Sequence, residues 1–258
     1  MYWHMGGQTY NTMQITISAN AKMLGESAGR LAAGLIKSAI AERGEAGVIL
    51  ATGTSQFETL STLIQDREID WPAVTVFHLD EYIALSEDHP ASFRKYLKER
   101  VLAHISQPKA VHLIDGQGDP QAVIAALSAA IERTPIDVAL VGIGENGHLA
   151  FNDPPADFDT EAPFIVVQLD EPCRQQQCNE GWFSHVDEVP KQAISMSIWQ
   201  ILKARHIVCS VPDGRKAKAV KDCLENPVTN LHPASILQSH LHTYFFLDEA
   251  SAALTTIS

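Results

Sequence analysis

Short, nearly uninterrupted apolar runs alternate along this chain with stretches in which apolar residues recur every three or four positions. The runs at residues 14–17 (QITI), 47–51 (GVILA), 74–79 (VTVFHL), 137–142 (DVALVG), 164–167 (FIVV), 206–211 (HIVCSV) and 243–247 (TYFFL) predict buried strands. Between them, residues 20–43 carry Met23, Leu24, Ala28, Leu31, Leu35, Ile36 and Ile40 at helical spacing. Further helices are expected through Phe57, Leu60 and Leu63, over 93–105 after His89-Pro-Ala-Ser92, over 121–132, over 213–224, and briefly from Pro233. The glutamine-rich stretch after residue 167 shows neither period and is expected to be a polar loop, followed by an apolar segment beyond Val189-Pro-Lys191.

Buried strands separated by helices imply a parallel sheet, because parallel neighbours need crossover connections. The expectation is a single α/β domain of three layers, with a mostly parallel, Rossmann-like central sheet covered by helices on both faces. It spans residues 14–258, with residues 1–13 as an N-terminal extension. No internal repeat or linker composition divides it.

Bulk properties narrow the function more than the fold. A formal net charge of −12 argues against a nucleic-acid surface, yet leaves room for a small phosphorylated metabolite that needs only a few local donors. No apolar run approaches the roughly 20 residues of a membrane span, and the start lacks a secretory pattern, so a cytoplasmic protein without membrane or nucleic-acid partners is expected. The four cysteines (Cys173, Cys178, Cys209, Cys223) show no paired zinc spacing and read as reduced and structural; no metal site is expected from them.

Ligands of open α/β sheets settle beyond the carboxyl ends of the strands. Four distinctive segments fall there. Thr52, Gly53, Thr54 and Ser55 link a strand to a helix, where glycine permits the turn and free N–H groups and hydroxyls attract an anion. Lys216 opens another helix after a strand and offers a positive charge. Asp80 and Glu81 end the third run; adjacent strand side chains point oppositely, so only one can enter a given cleft. Finally, Gly142, Gly144 and Gly147 shape a turn carrying Asn146 and His148, with Asp153 five residues on. An imidazole beside a carboxylate is a proton shuttle near neutral pH.

In order, Leu50-Ala-Thr-Gly-Thr-Ser55, Leu79-Asp-Glu-Tyr82, His89-Pro-Ala-Ser92, Gly142-Ile-Gly-Glu-Asn-Gly-His-Leu-Ala-Phe-Asn-Asp-Pro154, Val189-Pro-Lys-Gln-Ala193, Gly214-Arg-Lys-Ala-Lys-Ala219 and Pro233-Ala-Ser-Ile-Leu237 resemble the signature segments of the glucosamine-6-phosphate deaminase (isomerase) family, which is related to 6-phosphogluconolactonase. The resemblance implies an enzyme without metal or organic cofactor that turns a small phosphorylated amino sugar into fructose 6-phosphate and ammonia. It implies Asp80 as the shuttle between C2 and C1, and His148 with Asp153 and Asn146 in ring opening. Thr52 to Ser55, Lys216, Glu81, Gly144 and Gly147 would hold substrate or its phosphate. Deamination of galactosamine 6-phosphate, lactone hydrolysis and a non-catalytic sugar-phosphate sensor are the alternatives; a homo-oligomer stays open.

The chain departs from the family in three places. Asp153 stands where many members have Glu, Asn146 where some have Asp, and the stretch before Val189-Pro-Lys191 lacks the family's phosphate-binding arginine. Arg174 and Arg215 are the candidates to replace it.

Overall fold

The computed structural model describes residues 13–257. The first strand, β1 (Gln14–Ser18), leads into α1 (Ala21–Arg43), whose start is capped by the Asn20 side chain accepting from the Met23 N–H at 3.0 Å. Gly44, in the left-handed conformation at φ 79°, ends it. The chain then runs through β2 (Ala46–Leu50), α2 (Phe57–Gln65), β3 (Val74–His78), β4 (Asp80–Tyr82), α3 (Phe93–Arg100), β5 (Ala110–His112), α4 (Pro120–Ile131) and β6 (Val138–Val141). The second half contributes β7 (Phe164–Gln168), α5 (Glu171–Asn179), β8 (Gln192–Met196), α6 (Ile198–Ile201), β9 (His206–Val211), α7 (Ala217–Glu225), β10 (Thr243–Asp248) and α8 (Glu249–Ala252).

Among the described residues seven strands form one sheet in the order β1-β10-β9-β6-β2-β3-β5, and every neighbouring pair is parallel. The strand alternation divides the core. Val48, Leu50, Val76, Leu140 and Val208 face α1, α2 and α3, against Leu24, Ala28, Ile36, Leu60, Leu63 and Leu97. Ile49, Phe77, Ala139, Val141, Cys209 and Phe245 face the other way, onto α4, α6, α7 and α8 through Leu127, Ile131, Ile198, Val220 and Leu224. Both faces being covered is why the strands read as continuous apolar runs. The three-layer, single-domain α/β expectation holds; the extension expected at residues 1–13 lies outside the described residues apart from Met13.

Four local expectations need correction. β4 and β7 leave the parallel sheet and pair antiparallel with β8, Asp80 opposite Ser195 and Ile165 opposite Ser195 on its other side, making a separate three-stranded sheet. The helix expected over 93–105 stops at Arg100, and Leu102–His104 is a single 3₁₀ turn. β5, a half-buried edge strand of three residues, was not expected at all. The glutamine-rich stretch is a helix rather than a loop. Asp170 caps α5 by accepting from the Cys173 N–H at 2.7 Å, and Pro172 sits in its first turn, where a missing N–H costs nothing.

Candidate active site

The carboxyl ends of β2, β3, β6 and β9 open on one cleft. Ala51 to Gln56, Asp80, Gly142, Gly144, His148 and Lys216 line it, and Gln176, Gln177 and Glu180 reach in from the end of α5. Asp80 and His148 therefore border the same cleft. The cleft encloses about 70 Å³, well below the roughly 300–1,000 Å³ of typical ligand pockets, and the α5 side chains are part of its wall.

One end of the cleft suits an anion. Gly53, at φ 91°, lets the chain turn out of β2 into the 3₁₀ turn Thr54–Gln56, and no side chain caps that start or the start of α2. The Thr52 hydroxyl is buried without a hydrogen-bond partner. Lys216 is carried on the turn Gly214–Lys216, which Asp213 organises by accepting from the Arg215 N–H at 2.9 Å. Burial lowers the Lys216 ammonium below its ordinary value, despite Glu180 3.7 Å away and Glu145 beyond it. A buried, incompletely paired amine beside an unsatisfied hydroxyl and uncapped N–H groups is poised for a negatively charged group.

Asp80 forms the opposite contribution. It is buried, and burial together with the neighbouring Glu81 charge raises its carboxyl to about 8. No hydrogen-bond donor among the described residues holds it down. Glu81 faces the other way, as adjacent strand residues must, and stays out of the cleft. Its carboxylate accepts from the Ser92 hydroxyl at 3.0 Å and from the N–H groups of Tyr82, Phe93 and Arg94, clamping the start of α3. The Arg94 guanidinium lies 3.7 Å away. The expectation that Glu81 contacts a ligand is thus corrected: it is a structural acid, the partner that strand geometry required to point elsewhere.

His148 sits on the glycine turn. Its backbone N–H donates to Asn146 Oδ1 at 3.1 Å, and its carbonyl accepts from the Gly144 N–H at 3.0 Å. A Cβ at Gly144 would collide with the His148 ring, so the ring holds this position only because the residue is glycine. Gly147, at φ 85°, serves the turn and does not line the cleft. His148 Nδ1 lies 3.2 Å from Asp153 Oδ1, although the approach is too bent for an aligned hydrogen bond. The ring itself borders the cleft. Burial alone would raise the Asp153 carboxyl, but His148, the Asp170 N–H and the Asn146 amide outweigh it and hold it below the usual range. Asn146 Nδ2 donates to Asp153 at 3.1 Å and to Asp170 at 3.2 Å. Asn146, Asp153 and Gly147 thus stand behind His148, while Asp80, Thr52 to Ser55, Gly144 and Lys216 border the cleft.

Neither arginine takes up the anion end. Arg174 is pinned outside it, donating to the carbonyls of Val189 and Val186, and Arg215 is exposed and paired with Asp213 and Glu145. The cleft is also bordered by residues at the end of α5 that went unnoticed in the sequence. Gln176 Oε1 accepts from the Glu145 N–H at 2.9 Å, and its amide donates to Glu180 at 2.8 Å. The Asp170 cap with Pro172 two residues on was the available signal for that helix.

The profile of glucosamine-6-phosphate isomerases/6-phosphogluconolactonase matches residues 19–245. The chain belongs to that family. A glucosamine-6-phosphate deaminase of Lactobacillus delbrueckii subsp. bulgaricus is 36% identical over 244 residues, covering 94% of this chain and 99% of that protein. Among solved structures, a monomeric glucosamine-6-phosphate deaminase superimposes with a TM-score of 0.85 at 32% identity, covering 94% of this chain and all of the other. The 6-phosphogluconolactonase of Thermotoga maritima shares the fold at a TM-score of 0.76 and 14% identity, over 92% of this chain and all of the other. Among the described residues no helix is long and apolar enough to cross a membrane.

Proposed function

We propose that this enzyme converts glucosamine 6-phosphate and water into fructose 6-phosphate and ammonia. The observation that carries the reading is Asp80: a buried carboxylate with no donor of its own, across one cleft from an imidazole. A lactone hydrolysis needs no such base, whereas a proton beside an imine or carbonyl does.

The phosphate rests on the Thr52-to-Ser55 turn and on Lys216, whose lowered ammonium regains a full counter-charge there. His148, oriented from behind by Asp153 and the Asn146-bound turn, shuttles a proton between the ring oxygen and O1 and opens the sugar. Asp80 takes the proton from C2, giving an enolamine, and returns a proton to C1. The imine left at C2 adds water and releases ammonia, so atoms and charge balance without any electron transfer. The narrow cleft requires Gln176, Gln177 and Glu180 to withdraw as the sugar enters, and Glu180 to give up Lys216 to the phosphate.

Purified protein incubated with glucosamine 6-phosphate is expected to release ammonia and fructose 6-phosphate one for one. Release from galactosamine 6-phosphate alone would move the assignment to the epimer, and release from no hexosamine 6-phosphate would reject deamination.

A further inference from the structure

Behind His148 lies a cluster that the proposed chemistry does not need in full. The ring nitrogen of His148, a carboxylate oxygen of Asp153 and the Cys173 sulfur all lie within 4.8 Å of one another. The first two come from the glycine turn and its sequel, and the third from the first turn of α5, which the Asp170 cap fixes through the Cys173 N–H. His148 Nδ1 is buried and has no hydrogen-bond partner, although it is aimed at this group.

We propose that His148, Asp153 and Cys173 form an inhibitory binding site for a thiophilic divalent cation, with zinc as the favoured ion. Imidazole nitrogen, carboxylate oxygen and thiolate sulfur are the three donors zinc takes, at about 2.0–2.1, 2.0–2.2 and 2.3 Å. Tetrahedral bonds of those lengths put donor atoms roughly 3.3–3.7 Å apart. His148 Nδ1 and Asp153 Oδ1, 3.2 Å apart, already have about that spacing, and the Cys173 sulfur, within 4.8 Å of both, has to approach by no more than roughly 1.5 Å. Three protein donors leave the fourth position to water, as in open zinc sites. The carboxylate is ionised, and the unpartnered Nδ1 has a lone pair to give in its neutral tautomer. The thiol loses its proton to solvent as the metal–sulfur bond forms; no oxidation is involved.

The cation would take the carboxylate that orients His148 and lock the ring by Nδ1, so ring opening stops. That consequence rests on the proposed deaminase reading; the binding itself does not. The spacing of the cysteines could not reveal such a site, because the donors partnering Cys173 lie 20 and 25 residues before it rather than in a second cysteine pair.

The test uses the whole protein and the metal ions alone. Cobalt(II) added to wild type is expected to give a near-ultraviolet thiolate–cobalt charge-transfer band that zinc abolishes. Cys173→Ser should lose the band, and Cys178→Ser should keep it. Zinc should suppress ammonia release by wild type, chelator should restore it, and Cys173→Ser should turn over while needing at least roughly 10- to 100-fold more zinc, the loss that removing a mere supporting partner of a ligand causes. A zinc-edge X-ray absorption spectrum of wild type, which depends on no variant folding, should contain one sulfur and a nitrogen/oxygen shell. No band in wild type, a band that survives in Cys173→Ser, or a zinc spectrum without sulfur overturns the site. A cobalt band in a protein that releases no ammonia leaves the site standing and removes only the deaminase reading.

Discussion

Asp80 and Asp153 are similarly buried aspartates at one site, yet they are shifted in opposite directions. Burial and the Glu81 charge push Asp80 up to about 8, whereas Asp153 is held low by an imidazole, an amide and a backbone N–H. Burial is common to both, so the donors decide the sign. An unpaired carboxylate kept basic suits proton abstraction; a fully bonded one suits holding a histidine in place. Glu81 sharpens the contrast, since it neighbours Asp80 in sequence but spends its oxygens on the start of α3.

Removing the unpaired member should cost most. Asp80→Asn is expected to lower turnover by roughly 10²–10⁴-fold while binding of an unreactive substrate analogue persists. Steady-state rates beside calorimetric binding check this, and a loss confined to binding would take Asp80 out of the chemistry. Glu81→Ala should do the reverse, lowering folding stability by roughly 3–5 kcal/mol because Arg94 and three N–H groups lose a buried acceptor, and harming catalysis only through unfolding. Denaturant titration reads it; an unchanged midpoint would mean that Glu81 does not hold α3.

A third effect concerns pH. The Asp80 carboxyl titrates near 3.8 when unfolded and at about 8 in the folded chain. Between those values the folded state binds the extra proton, so this residue's contribution to stability is present below about pH 4 and is lost as pH rises through 8. Asp80→Asn removes the penalty. Its melting temperature should exceed that of wild type at pH 8 by at least roughly 2–4 °C, the shift that about 1 kcal/mol produces, and the gap should close towards pH 4. A gap that is constant with pH would show that Asp80 is not the source.

What was legible in the sequence follows from what each element buries. β2, β3, β6 and β9 are covered on both faces, so they announce themselves as apolar runs, and the segments at their ends mark the cleft directly. α5 hides because its buried positions are Cys173, Gln176 and Gln177, which carry no hydrophobic period. β5 hides because it is three half-buried residues at a sheet edge. That one of Asp80 and Glu81 must turn away could be read from strand geometry, but not that Glu81 would serve a helix start 11 residues downstream, since that depends on how β4 docks against α3. The residues behind His148 were legible only as far as Asp153; Asp170 and Cys173 arrive by tertiary packing.

One sugar phosphate is expected to span the unpaired acid, the imidazole and the anion turn together. A crystal structure with an open-chain amino-alditol phosphate, which mimics the ring-opened substrate and cannot react, measures it most directly. An Asp80 oxygen is expected about 3–3.5 Å from C1 and C2, the terminal hydroxyl nearest C1 at His148, and the phosphate on Thr52 to Ser55 and Lys216 with Glu180 displaced. An analogue bound with its phosphate elsewhere, or with its C2 out of reach of Asp80, would contradict it.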